Sequence, residues 1–109
     1  METRITKTLK NWFPDLYPEK IKEGELLDYV VLNHFAAYCN ENRDTKQVTE
    51  VFKIINLLYQ NGSLHDRNAI ENEFLSILTD ISSPSNLKSQ LGQLPKELRP
   101  IYIKTILEN

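Results

Sequence analysis

Few side chains here could do chemistry, and their spacing argues against most of it. The candidate bases and nucleophiles are His34, His65 and Cys39, set among fifteen Asp and Glu residues. A zinc site needs three or four ligands at close spacing. His34 and Cys39 fall on one predicted helix, separated by about 500° of rotation at 100° per residue, so they point to different faces. No metal site is expected. His34 as a general base would need a partner, and Asp28 and Tyr38 lie near it on the same helix, Tyr38 at i+4. The competing reading is a half-buried packing histidine on a mostly apolar helix. His65 lies in a turn beside Asp66, where it is expected to be exposed or to help cap a helix. Glu71 and Glu73 are two apart, so they do not face each other as paired carboxylates. Three glycines make no phosphate-binding loop. No catalytic residue, cofactor or metal is assigned.

Charge speaks more to partners than to catalysis. The net charge is −2, but it is unevenly spread. Residues 1–22 carry five basic and three acidic groups, residues 23–80 four basic and ten acidic, and residues 81–109 four basic and two acidic. An acidic middle disfavours nucleic acid and attracts a basic partner. Arg4, Lys7 and Lys10 fall near one face of the first helix, and three such charges read as a solvated face before a nucleic-acid contact. Trp12 and Phe13, with Tyr17, Tyr29, Tyr38, Tyr59 and Tyr102, could form an aromatic contact patch. Their helical spacing on apolar stripes favours the core.

These residues must be positioned by helices. Ile5, Leu9 and Trp12/Phe13 predict a helix over Thr3–Phe13, stopped by Pro14. The segment Pro14–Gly24 reads as a loop. A second helix, Glu25–Asn40, is apolar almost all round and should be central. A third runs from Thr45 or Lys46 to Gln60, capped by Asp44 or Thr45. Asn61-Gly62 is expected to close it with a left-handed residue. A fourth helix follows over Leu64–Asp80, capped by Ser63 or Asp66, with Ile70, Phe74, Ile77, Leu78 and Ile81 inward. Pro84 suits a first helical position and opens a short helix over Ser85–Leu91 that Gly92 should stop. The last helix spans Pro95–Leu107, with Leu98, Ile101, Tyr102 and Ile106 inward. Pro100 either kinks it or sits in the first turn of a later start. No segment alternates with period 2.

A chain of 109 residues that is 40% hydrophobic and 26% charged is expected to form one domain around a modest core. One cysteine permits no internal disulfide. No apolar run approaches the roughly 18 residues of a membrane span. The N-terminus lacks the apolar core and cleavage site of a secretory signal. The chain is therefore expected to be cytoplasmic. The predicted fold is all-α, a compact bundle of five or six antiparallel helices.

The segment VFKIINLLYQNGSLHDRNAIENEFLSIL resembles a group of uncharacterised bacterial proteins of about this length, domains of unknown function. Val51-Phe52, Leu57-Leu58, Asn61-Gly62, Asn68-Ala69-Ile70 and Phe74-Leu75 carry the likeness, which covers residues 25–105. The same hairpin is similar to a HEAT or armadillo-type repeat through Asp66-Arg67 and Ala69. Only one such unit is evident, so a compact bundle is implied in place of a long solenoid. Some small acidic helical proteins of this kind look like immunity proteins, which bind and block a bacterial toxin.

The expected function is non-enzymatic protein binding, as an immunity-type inhibitor of a basic toxin domain acting through an acidic helical face. Glu41, Asp44, Glu50, Asp66, Glu71 and Glu73 are the candidate partner-binding residues. The alternatives are a small enzyme with a His34-centred pocket, or a weak nucleic-acid binder using the basic termini.

Overall fold

Capping chemistry sets where the helices begin. A computed structural model describes residues 3–18, 27–43, 45–80 and 84–108. In α1 (Arg4–Trp12), Thr3 and Thr6 cap each other. The Thr6 amide donates to Thr3 Oγ1 at 3.2 Å and the Thr3 amide to Thr6 Oγ1 at 2.9 Å. This is a capping box with threonine in the place usually held by Glu or Gln. Thr45, not Asp44, caps α3 (Lys46–Gln60), accepting from the Val48 amide; Asp44 lies outside the described residues. Ser63 and Asp66 both serve the next helix, in a reciprocal capping box.

α2 (Leu27–Glu41) is central, as its apolar circumference predicts. It packs against α1, α3 and the length of the following helical rod. That rod, α4, covers residues 64–79 and changes pitch along its course. Leu64–Ala69 is α-helical, Ile70–Leu75 is a π-helical turn, and Ser76–Thr79 is α-helical again. π turns are rare and accommodate an extra residue within a helix. Here Ile70, Phe74 and Leu75 are all fully buried in the wide turn. The remaining helices are α5 (Pro84–Gln93) and α6 (Arg99–Glu108), joined through a 3₁₀ turn at Lys96–Leu98. Among the described residues there are six helices and no strand. The fold is all-α.

Every helix except α5 supplies fully buried apolar side chains to the core; α5 packs Leu87 and Leu91 half-buried against it and contributes one buried polar side chain. Ile5, Leu9 and Phe13 meet Val31, Leu32, Phe35, Ala36 and Cys39 of α2. Val51, Phe52 and Ile55 of α3 meet Ile70, Phe74 and Leu78 of α4. Phe52 and Phe74 cross edge to face at 6.2 Å, a favoured aromatic geometry. Burial pushes the Cys39 thiol well above its usual range, so it acts as a small apolar residue. Gln90 of α5 links three other helices. It accepts from Tyr102 Oη at 2.7 Å and donates to Asn40 Oδ1 at 2.6 Å, while Asn40 Nδ2 donates to the Ile77 carbonyl at 3.1 Å. Each of the Gln90, Tyr102 and Asn40 side chains thus has a partner, as a low-dielectric interior demands.

Several expectations are corrected. Neither Asn61 nor Gly62 takes a left-handed backbone; Asn61 has φ −104° and ψ 4°. Gly62 is needed for closeness instead, because a Cβ there would lie 2.5 Å from the Leu58 carbonyl oxygen and 2.7 Å from Asp66 Cβ. Gly92 does not stop α5, which runs on to Gln93, and the Leu94 amide still bonds the Gln90 carbonyl. Pro95 is the better stop, since it pushes the residue before it out of the helical region. The last helix starts late, with Pro100 in its first turn, where no intrahelical N–H is required. Trp12, expected on the apolar stripe of the first helix, is exposed, and so is Leu57 of α3. Ile81, expected inward, lies outside the described residues.

Candidate functional site

Of the six acidic residues expected to form a binding face, Asp66, Glu71 and Glu73 are committed to the fold, and Asp44 lies outside the described residues. Glu41, at the end of α2, is exposed. Glu50 lies 3.7 Å from Lys53. Asp66 accepts from the Ser63 amide at 3.2 Å. On the π turn, Glu71 and Glu73 point to different neighbours. Glu71 accepts from Tyr59 Oη at 2.7 Å and lies 3.7 Å from Lys104 of α6. Glu73 accepts from Asn33 Nδ2 of α2 at 3.1 Å. Burial and the Glu71 hydrogen bond push the Tyr59 phenol up to about 12, so it stays a donor at neutral pH. The near contacts of these described carboxylates, Glu41 apart, are with this chain's own side chains and backbone.

The histidines part company. His34 is exposed, not half-buried, and its Nε2 lies 2.8 Å from the Leu16 carbonyl. A carbonyl only accepts, so Nε2 carries the proton in this contact. Asp28 turns elsewhere. Its carboxylate is 5% exposed, accepts from Thr3 Oγ1, and lies 3.2 Å from His65 Nε2. This Thr3–Asp28–His65 cluster joins the starts of α1, α2 and α4. No local pattern could announce it, because its members are 25 and 37 positions from Asp28 along the chain. It orients a largely exposed imidazole, and it ties three helix N-termini together. Among the described residues no group of three or more His, Cys, Asp or Glu side chains could hold a metal.

The basic face of α1 is also partly engaged. Arg4 Nη1 donates to the Asn61 carbonyl, and Lys10 stands 6.0 Å from the Tyr17 ring centre. Of the aromatic side chains, Phe13 and Tyr102 are buried and Tyr17, Tyr29, Tyr38 and Tyr59 are half-buried as their stripes suggest, while Trp12 is exposed.

The surface feature with the least internal explanation is on α6. Its apolar residues are Ile101, Tyr102, Ile103, Ile106 and Leu107, and Lys104, Thr105 and Glu108 occupy another side. Tyr102 is buried and Ile101 and Ile106 are half-buried, while Ile103 is 44% and Leu107 80% exposed. Ile103 and Leu107 are i, i+4 and share one face, with Pro100, also exposed, three residues before Ile103. Beside them, a groove of about 370 Å³ runs between α6 and the end of α4, lined by Ser76, Ile77, Thr79, Asp80 and Ile106. No helix of the described residues is long and apolar enough to cross a membrane.

Fold and surface thus define a small all-helical protein whose last helix carries apolar side chains on its outer side. The chain belongs to the family described as Domain of unknown function (DUF7674), whose model matches residues 6–108. No curated protein and no solved structure matches it.

Proposed function

We propose that this chain is a non-enzymatic protein-binding module that docks its partner on the outer face of α6. The observation that supports this is the pair of exposed apolar side chains, Ile103 and Leu107, one turn apart on the outer side of that helix. Here the core covers the side bearing Tyr102, and Ile103 and Leu107 face outward. Exposed apolar side chains that gather on one face mark contact surfaces, whereas isolated ones are ordinary.

The finer form of the proposal is an immunity-type inhibitor of a bacterial toxin. The ten acidic groups of residues 23–80 steer a basic domain toward the molecule, raising the association rate and setting specificity. Glu41, Asp44, Glu50, Asp66, Glu71 and Glu73 supply that field, and the α6 face supplies the desolvated contact. The test is capture of a basic protein from the source cell by the immobilised chain, followed by titration of the purified pair. The double variant I103E/L107E should weaken the pair roughly 30-fold or more, the effect of one hot-spot residue, with an unchanged circular dichroism spectrum. Recovery of no basic protein, or equal affinity for the variant, overturns the proposal.

A further inference from the structure

The groove beside α6 adds a chemical specification to that face. Its apolar lining comes from Ile77 of α4 and Ile106 of α6. Ile106 neighbours Ile103 and Leu107 along the helix, so the groove continues the exposed apolar face. The polar rim is one-sided. Asp80 is exposed, and its carboxylate makes no ion pair among the described residues. It caps the C-terminus of α4, where the last carbonyls already hold partial negative charge. An acidic side chain at this end of a helix is locally unfavourable, and a cation brought there is favoured by both the carboxylate and the helix end.

We propose that the groove is the anchor site for a partner segment presenting an apolar side chain next to a cationic one. The apolar group lies between Ile77 and Ile106, and the ammonium or guanidinium pairs with Asp80. An anionic segment would meet the carboxylate and the helix C-terminus as like charges. A purely apolar one would cover Asp80 without a partner, leaving a desolvated charge. This rests on the reading of the α6 face as a contact surface and names the chemistry that the face selects.

The probes are three blocked dipeptides, acetyl-Leu-Arg-amide, acetyl-Leu-Gln-amide and acetyl-Leu-Glu-amide, titrated into the ¹⁵N-labelled chain. The Arg probe should shift the amides of residues 76–80 and 103–107 saturably and bind about threefold tighter than the Gln probe, as a single exposed ion pair allows. The Glu probe should bind more weakly than either. Asp80→Asn should erase the preference for Arg over Gln, and Asp80→Lys should reverse it toward Glu. Asp80→Asn removes an unfavourable charge from a helix end, so the variant folds. Shifts elsewhere, an absence of shifts, or an Arg preference that survives Asp80→Asn overturns the inference. If I103E/L107E abolishes partner binding while the dipeptides fail, only the groove assignment falls. If the dipeptides bind as stated and no partner is retained, only the proposed function falls.

Discussion

At the scale of single residues, the buried polar groups are more tightly specified than the exposed acidic ones. Gln90 is almost fully buried and uses both ends of its amide, toward Tyr102 and Asn40. Gln90→Leu would keep most of the volume but leave the Tyr102 hydroxyl and the Asn40 carbonyl unpaired. The expected loss is about 1–3 kcal/mol, the penalty for stranding buried polar groups, read as a lower midpoint in urea unfolding. The same hydroxyls set the alkaline limit of the fold. Burial pushes Tyr102, and burial with the Glu71 hydrogen bond pushes Tyr59, each up to about 12 from the ordinary 10. The folded state therefore favours the protonated phenols. That contribution is complete below pH 10 and is lost as pH rises from 10 through 12. A titration followed by phenolate absorbance should show two of the five tyrosines ionising late, together with loss of helical signal. Tyr59→Phe should remove one of the late ionisations.

At the scale of elements, most helix starts were legible because capping is local. Thr45 and Ser63 are two short polar side chains placed one residue before an apolar period, and each caps as its position implies. Helix ends were less legible, because what a glycine does there depends on how tightly the turn packs its neighbours around it, which residue type alone does not show. The two described turn-region glycines separate these cases. Gly62 has the Leu58 carbonyl and Asp66 within 3 Å of where a Cβ would stand; Gly92 has nothing within 4 Å. Gly62→Ala should cost about 1–3 kcal/mol through overpacking of the α3–α4 turn. Gly92→Ala should stabilise the chain by about 0.5–1 kcal/mol, since it replaces glycine inside a helix at an open site. Paired thermal melts of the two variants decide this, and opposite signs are expected. The π turn had no local signature at all. Ile70–Leu75 carries the same apolar spacing that an ordinary helix would.

At the scale of the whole molecule, the Cα radius of gyration is 13.0 Å, that of a well-packed chain of this length. Packing at that scale decides which charges remain available. The acidic middle was visible in composition, and its field follows from the count alone. Its division into separate contacts was not, since Glu71 reaches α6 and Glu73 reaches α2 across the fold. The proposed binding face follows the same logic in reverse. Ile103 and Leu107 have the composition of core residues and stand at the surface, with no helix of the described residues laid over them. I103E/L107E should accordingly move the melting temperature by only a few degrees, because surface changes of this kind stay near ±0.5 kcal/mol each, roughly 2–4 °C apiece in a chain of this size.

By itself the sequence determined that the chain is helical, where most helices begin, that α2 is central, and that no metal or phosphate motif is encoded locally. Each of these follows from short-range periodicity, capping and composition. Only the tertiary structure decided that Asp28 meets His65 in place of His34, that Gly62 is held by crowding and not by its backbone angle, and that α6 leaves an apolar side uncovered beside a groove rimmed by Asp80. The first and last of these depend on which elements meet across dozens of residues, the crowding at Gly62 depends on how tightly the turn folds Leu58 and Asp66 onto it, and apolar spacing marks a buried stripe without naming what buries it.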